Sequence, residues 1–353
     1  MKKRIRTTSW ARTFERSFVA MTRLAAASGN RALAKALKLP AAKASKPPAA
    51  RRARPAGAGA WIPGVVMGVT GTRRFRLFRP PGVQFGERLP LMVMLHGCGQ
   101  DAKGFADSTR MNRIALRERF LVLYPEQDRF ANAQGCWNWF DTASGRAHGE
   151  AALIMKAIDQ VLLLHPADTA RVAIAGLSAG ASMAALLVAR HPGRFKALVM
   201  HSGIPPGTAH SGLSALGAMH GRRATLPLVA TPGMMLADWP PLLVIHGDAD
   251  GVVSPSNGQA AAQVWAHAAG AQAGTPRQVQ RGKRYPMSVT DFKRKGRTVA
   301  TLVAVGRLAH AWSGGAASKP FSDGQGPDAS RMAWAFAARQ FKGASDGRPV
   351  RER

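Results

Sequence analysis

From residue 61 onward, short apolar runs alternate with segments of helical period. Leu91–Leu95, Phe120–Tyr124, Val172–Ala175, Ala197–Met200 and Leu242–Ile245 are continuous apolar runs. Such runs suit central strands buried on both faces. Arg73–Arg79 instead alternates polar and apolar residues, as an edge strand does, and Thr298–Val305 reads as the last strand. Between the strands the period is helical. Residues 101–118, Glu150–Leu164, Ala179–Arg190 and 328–341 read as helices, with Leu153, Ile154, Ala157, Ile158, Val161 and Leu162 marking one apolar stripe. Strands alternating with helices predict an α/β fold with a mostly parallel central sheet and helices on both faces. Residues 203–240 break this rhythm with prolines, glycines and scattered Met and Leu. This stretch reads as an insertion over the sheet's active edge, a lid or pocket wall.

The pattern divides the chain of 353 residues into three parts. Residues 1–60 are a basic, partly helical or disordered extension with a Pro/Ala-rich linker. Residues 61–342 are the globular domain, and 343–353 form a polar, disordered tail. The net charge is +31. Residues 1–54 hold 15 Lys and Arg against the single acid Glu15, a net of +14. Trp10, Phe14, Phe18, Met21 and Ala25 share one helical face there, so the arm could rest on an anionic surface or granule. Its other reading is a loosely ordered arm. No zinc-finger spacing, RNA-binding aromatic motif or heptad is present, which argues against a specific nucleic-acid reader. No run of 18 apolar residues is present, so no transmembrane segment is expected. The basic start is followed by no apolar core long enough for a recognisable signal peptide.

The chemistry is signalled at Val172–Gly180, where an apolar run ends in Gly176-Leu177-Ser178-Ala179-Gly180. A serine on a tight strand-to-helix turn is the arrangement of a hydrolase nucleophile. Its partners are expected later in the chain, at strand ends, in the order Ser, Asp, His. The strand Leu242–Ile245 is followed by His246-Gly247-Asp248-Ala249-Asp250. The strand Thr298–Val305 is followed by Gly306-Arg307-Leu308-Ala309-His310. Ser178, Asp250 and His310 are therefore the candidate triad, with Asp248 as the alternative carboxylate. The backbone N–H groups of Cys98 and Ala179 are the candidate oxyanion hole. Cys98 and Cys136 match no metal spacing: they either bridge, which suits an oxidising compartment, or stay two inert thiols. No metal and no cofactor is assigned.

With these residues in place, the chain resembles the esterases of the polyhydroxybutyrate (PHB) depolymerase family, which are α/β-hydrolases. The resemblance spans about residues 70–320. It rests on His96–Gln100, Thr109–Asn112, Leu121–Gln127, Gly135–Phe140, Gly176–Gly180, His201–Gly203 and His310–Gly315. It implies a serine esterase acting on poly(3-hydroxybutyrate) or related short hydroxyacid esters. The nucleophile falls on Ser178, the base on His310 and the acid on Asp250. Ala309 stands where the family usually has glycine. Gln100, Trp137 and Trp312 are the expected substrate contacts, with Trp139 a further candidate for an apolar cleft; core packing is the other reading of the tryptophans. Feruloyl and acetylxylan esterases share the framework and give the alternative substrate class. A non-catalytic binding protein using the basic arm is the rival of another kind. The resemblance favours an extracellular enzyme, whereas the missing signal favours the cytoplasm.

Overall fold

The computed structural model describes residues 57–225 and 239–345. The basic arm and its expected helix lie outside them, as do 226–238, within the expected lid, and 346–353, most of the expected tail. The described residues from Gly59 onward form one compact unit.

The chain enters as an antiparallel pair, β1 (Ala60–Gly68) and β2 (Gly71–Arg79), then β3 (Leu89–Leu95). Two short helices follow, α1 (Ala102–Thr109) and α2 (Met111–Glu118), then β4 (Leu121–Glu126), α3 (Arg146–Leu164) and β5 (Ala167–Leu177). Next come α4 (Ala179–Arg190), β6 (Ala197–His201), α5 (Gly212–Met219), β7 (Leu242–Gly247) and α6 (Ser256–Ala269). The strands β8 (Gln272–Ala273), β9 (Arg277–Val279), β10 (Met287–Arg294) and β11 (Arg297–Val305) close the sheet. The small pair β12 (Trp312–Ser313) and β13 (Ser322–Asp323) and the long helix α7 (Ala329–Ser345) end the described chain.

The sheet runs β1-β2-β4-β3-β5-β6-β7-β11-β10-β8, with β9 also on β10. Its centre, β4 through β11, is parallel. Every residue of β3, β6 and β7 is buried, which is why those strands read as unbroken apolar runs. This is the α/β-hydrolase arrangement. Parallel strands force crossovers, and crossovers gather the strand carboxyl ends at one edge, where loops can converge.

Three local expectations are corrected. Arg73–Arg79 is not at the edge: β2 lies between β1 and β4, and β1 is outermost. The helix expected over 101–118 is two helices, because Arg110 takes a left-handed conformation, φ 57°, that ends one and starts the other. Helices do not alternate with strands to the end. β10 and β11 form an antiparallel hairpin through Lys295 and Gly296, both with positive φ, the geometry of a tight hairpin turn.

Candidate active site

Ser178 sits between β5 and α4 with φ 56° and ψ −123°, a conformation few non-glycine residues adopt. Close packing forces this turn. A Cβ on Gly176 would lie 2.4 Å from Gly180 backbone, and one on Gly180 would lie 2.2 Å from the Leu95 carbonyl. Only hydrogen fits at both positions, so α4 can start directly against β3. The Ser178 N–H donates to the His201 carbonyl at 2.8 Å, which pins the elbow to the end of β6.

Asp250 and His310 follow β7 and β11, two neighbouring strands. The His310 Nδ1 lies 2.8 Å from Asp250 Oδ2, and both side chains are buried. The other carboxylate oxygen, Oδ1, accepts the N–H groups of Val252 and Val253 at 3.0 and 2.9 Å. Burial pushes the Asp250 carboxyl up, but the His310 imidazole and the hydrogen bonds from His246 and His310 outweigh it. The group is held well below the usual carboxylate range. Asp248, the alternative carboxylate, is exposed and accepts the Arg307 N–H at 2.6 Å. It ties the β7 and β11 loops together and leaves the imidazole to Asp250.

The loop after β3 is braced from below. Cys98 and Cys136 form a disulfide, with Cα atoms 4.2 Å apart. The Cys136 segment is itself held by a buried polar cluster. Glu150 accepts from the Asn138 N–H at 2.9 Å, from Asn138 Nδ2 at 2.6 Å and from Gln127 Nε2 at 2.7 Å. Gln127 Nε2 also reaches the Cys136 carbonyl at 2.8 Å. Buried Arg73 donates to the Gln127 side-chain oxygen and lies over the Trp137 ring. Burial lowers the Arg73 pKa, and Glu150 counters it. Among the described residues, no hydrogen bond uses the N–H of Cys98 or Ala179. The latter opens α4, where helix geometry leaves N–H groups without intrahelical acceptors.

The expected substrate contacts fall differently. Trp137 and Trp312 both have 0% exposure. Their ring N–H groups donate inward, to the His96 carbonyl at 3.0 Å and to Ser330 Oγ at 3.1 Å. Both indoles thus lie beneath the site's loops as packing, the other reading of the pair. Trp139 is 8% exposed. The Gln100 side-chain oxygen accepts the Gly97 N–H at 3.0 Å, so this amide shapes the loop that carries Cys98.

Two histidines were given no role in the sequence. The ring of His201 stacks on Trp312 at 5.0 Å, and its Nε2 accepts the Ser313 N–H at 3.1 Å. Its carbonyl holds Ser178, so one residue ties the serine turn to the loop bearing His310. An imidazole that accepts at Nε2 is neutral, and burial beside His246 and His310 lowers the His201 pKa to about 3. His246 places Nε2 3.3 Å from Asp250 Oδ2 and 3.0 Å from the Val253 carbonyl. The sequence pattern puts His246 just past the strand Leu242–Ile245, whereas β7 runs on through Gly247, and nothing in the pattern tells that this histidine turns toward the carboxylate.

A family profile described as esterase PHB depolymerase matches residues 73–281. Poly(3-hydroxyalkanoate) depolymerase C of Paucimonas lemoignei is 32% identical over 175 residues, 48% of this chain and 42% of that protein. Acetylxylan esterase A of Emericella nidulans is 25% identical over 203 residues, 54% of this chain and 66% of its own. The matched region thus spans less than two thirds of either relative. Among solved structures, an acetyl xylan esterase from Aspergillus awamori superposes with a TM-score of 0.57 at 17% identity, covering 79% of this chain and 100% of that one. That likeness is one of fold.

Proposed function

This chain belongs to the esterase PHB depolymerase family, and we propose on that premise that it is a serine esterase of short hydroxyacid esters, foremost poly(3-hydroxybutyrate) or its oligomers. The observation that carries the reading is the buried 2.8 Å contact between His310 and Asp250, joined at one sheet edge by a serine in a strained strand-to-helix turn. His310 takes the Ser178 proton as Oγ attacks the ester carbonyl. Asp250 fixes the tautomer with Nδ1–H and stabilises the imidazolium. The N–H groups of Cys98 and Ala179 receive the oxyanion of the tetrahedral intermediate. His310 then protonates the departing alcohol oxygen. Water, deprotonated by the same imidazole, attacks the acyl-serine and releases the acid and free Ser178.

Residues 203–240 serve as the lid or pocket wall beside this edge, and the basic arm of residues 1–54 serves to hold an anionic surface or granule. A disulfide beside the oxyanion loop suits an enzyme outside the cytoplasm. The likeness to acetylxylan esterase supports a second reading, in which the acyl group is acetate on a carbohydrate.

A fluorophosphonate probe should label Ser178, and Ser178→Ala should lower p-nitrophenyl butyrate hydrolysis by at least about 10³-fold. Wild-type turnover in the alanine variant would overturn the assignment. Side-by-side rates on hydroxybutyrate trimer and acetylated xylan decide the substrate: faster acetate release would replace the polyester reading with the second one.

A further inference from the structure

We propose that the trough between the β9–β10–β11 extension and helix α7 binds an amphipathic carboxylate, an acyl chain ending in a carboxylate group. Helix α7 packs on β5, β6 and β7, while the β10–β11 hairpin extends the sheet farther. The space between has a volume of about 570 Å³, within the range of small-molecule sites. Its floor is mostly apolar, with Thr298 and the hydrogen-bonded pair Thr301 and Asp291 as its polar members. Met287 and Val289 lie on one face of β10, with Val303 opposite Val289 on β11 and Phe336 rising from the helix, all four buried.

The rim is cationic on both sides. Arg277 and Arg281 stand on the strand side, Arg331 and Arg339 on the helix side. Arg277 is paired with Asp291 at 2.9 Å, and Arg339 lies over the Phe336 ring at 5.8 Å. Arg284 is spent on the carbonyls of Gly324 and Gly326. Arg281 and Arg331 are exposed and have no ion-pair partner among the described residues. Asp328, at one end, accepts the Arg331 N–H. It adds one negative charge, so the rim stays net positive.

The chemistry follows from this lining. Guanidinium groups prefer planar oxyanions, which they bind through paired N–H donors. The apolar floor favours a hydrocarbon body over a free inorganic ion. Together they select a ligand with one anionic end and an apolar remainder. The class also includes the acids that ester hydrolysis releases, so the trough could hold product away from Ser178. That physiological meaning rests on the proposed function; the binding itself does not.

The test uses the full chain and octanoate, followed by isothermal titration calorimetry in wild type and in Ser178→Ala, so that binding is read whether or not the protein is an esterase. Octanoate should bind both alike, and more tightly than octyltrimethylammonium or inorganic phosphate. Arg281→Glu with Arg331→Glu should weaken it by at least about 10-fold, the loss of one charge-assisted pair. Ala335→Trp, which fills the trough from an exposed helix position, should abolish binding. Hydrolysis of p-nitrophenyl butyrate should be unchanged by these substitutions. Equal affinity for the cationic or inorganic probe, or unchanged octanoate binding in either trough variant, would overturn the proposal.

Discussion

Asp250 is shared by two imidazoles, and they do different work. His310 faces it through Nδ1, whereas His246 brings Nε2 between Asp250 Oδ2 and the Val253 carbonyl. Two acceptors at one nitrogen place the proton on Nε2 of His246. Its Nδ1 is buried and has no partner in the structure, packed against Gly258. A donor there keeps the carboxylate weakly basic. His246→Leu should therefore raise the basicity of Asp250, moving the acid limb of the kcat/KM profile up by about half a pH unit. His246→Gln, which keeps a donor near the same place, should restore the limb. A rate loss with an unmoved limb would reduce His246 to a packing residue. Gly180 gives a second test of the same region. Its missing Cβ would strike backbone oxygens of Leu95 and His96 at 2.2 and 2.4 Å, which cannot swing aside. Gly180→Ala should cost about 3 kcal/mol in urea denaturation. Gly193→Ala, where nothing lies within 4 Å, should cost far less.

The loop after β3 depends on elements far from it in sequence. Residues 98 and 136 are 38 positions apart and are joined by the disulfide, while Glu150 of α3 and Arg73 of β2 fix the far side of the bridge. Closing a loop of that length limits the unfolded chain and stabilises the fold by about 4 kcal/mol in the chain-entropy account. Cys98→Ser with Cys136→Ser should thus lower the thermal midpoint by about 10 °C. If the bridge also aims the Cys98 N–H, kcat should fall more than KM rises; an unchanged kcat would confine the disulfide to stability. The bridge was one of the two readings of Cys98 and Cys136, and the structure forms it; the polar cluster behind it was not legible, for a reason of scale. The runs Leu91–Leu95 and Val172–Ala175 declare themselves because burial on both faces leaves no room for polar residues. Glu150 and Gln127 look like surface residues, because burial of a polar group is visible only when its partners are known. Of the β10–β11 hairpin, Thr298–Val305 was legible as a strand and β10 was missed differently. Met287–Arg294 does alternate, but its outer face is wet and its last residues are charged, so the pattern fades where β-strand and loop compositions overlap.

Over the whole molecule, what could be read were the elements that order the chain: the sheet, the serine turn, and the positions of Asp250 and His310. What could not be read was which of the 10 histidines are buried and neutral, since composition assigns each the same titration. The structure separates them, with a consequence for stability. Burial lowers the His96 pKa to about 4 and the His201 pKa to about 3. His96 accepts the Gln127 N–H at Nε2 and donates from Nδ1 to the Gly97 carbonyl; His201 accepts the Ser313 N–H. Both bonds at Nε2 require the neutral ring. In the unfolded chain each imidazole titrates near its ordinary value of about 6.5. Below that pH the unfolded state binds protons that the folded state excludes, until pH reaches the folded values. The stabilisation is therefore complete above about pH 6.5 and declines from there toward pH 4, by at most about 1.4 kcal/mol per pH unit for each ring. Urea midpoints between pH 7.5 and 4.5 should show this decline. Half-buried His148, His165 and His191, lowered by burial and by neighbouring arginines, steepen it in the same direction. His201→Gln isolates the buried part: its side-chain oxygen can accept the Ser313 N–H but does not titrate. Its slope should be shallower than that of wild type by up to one proton. Equal slopes would mean that His201 takes up its proton in the folded protein, and that the tie between the serine turn and the His310 loop does not require a neutral ring.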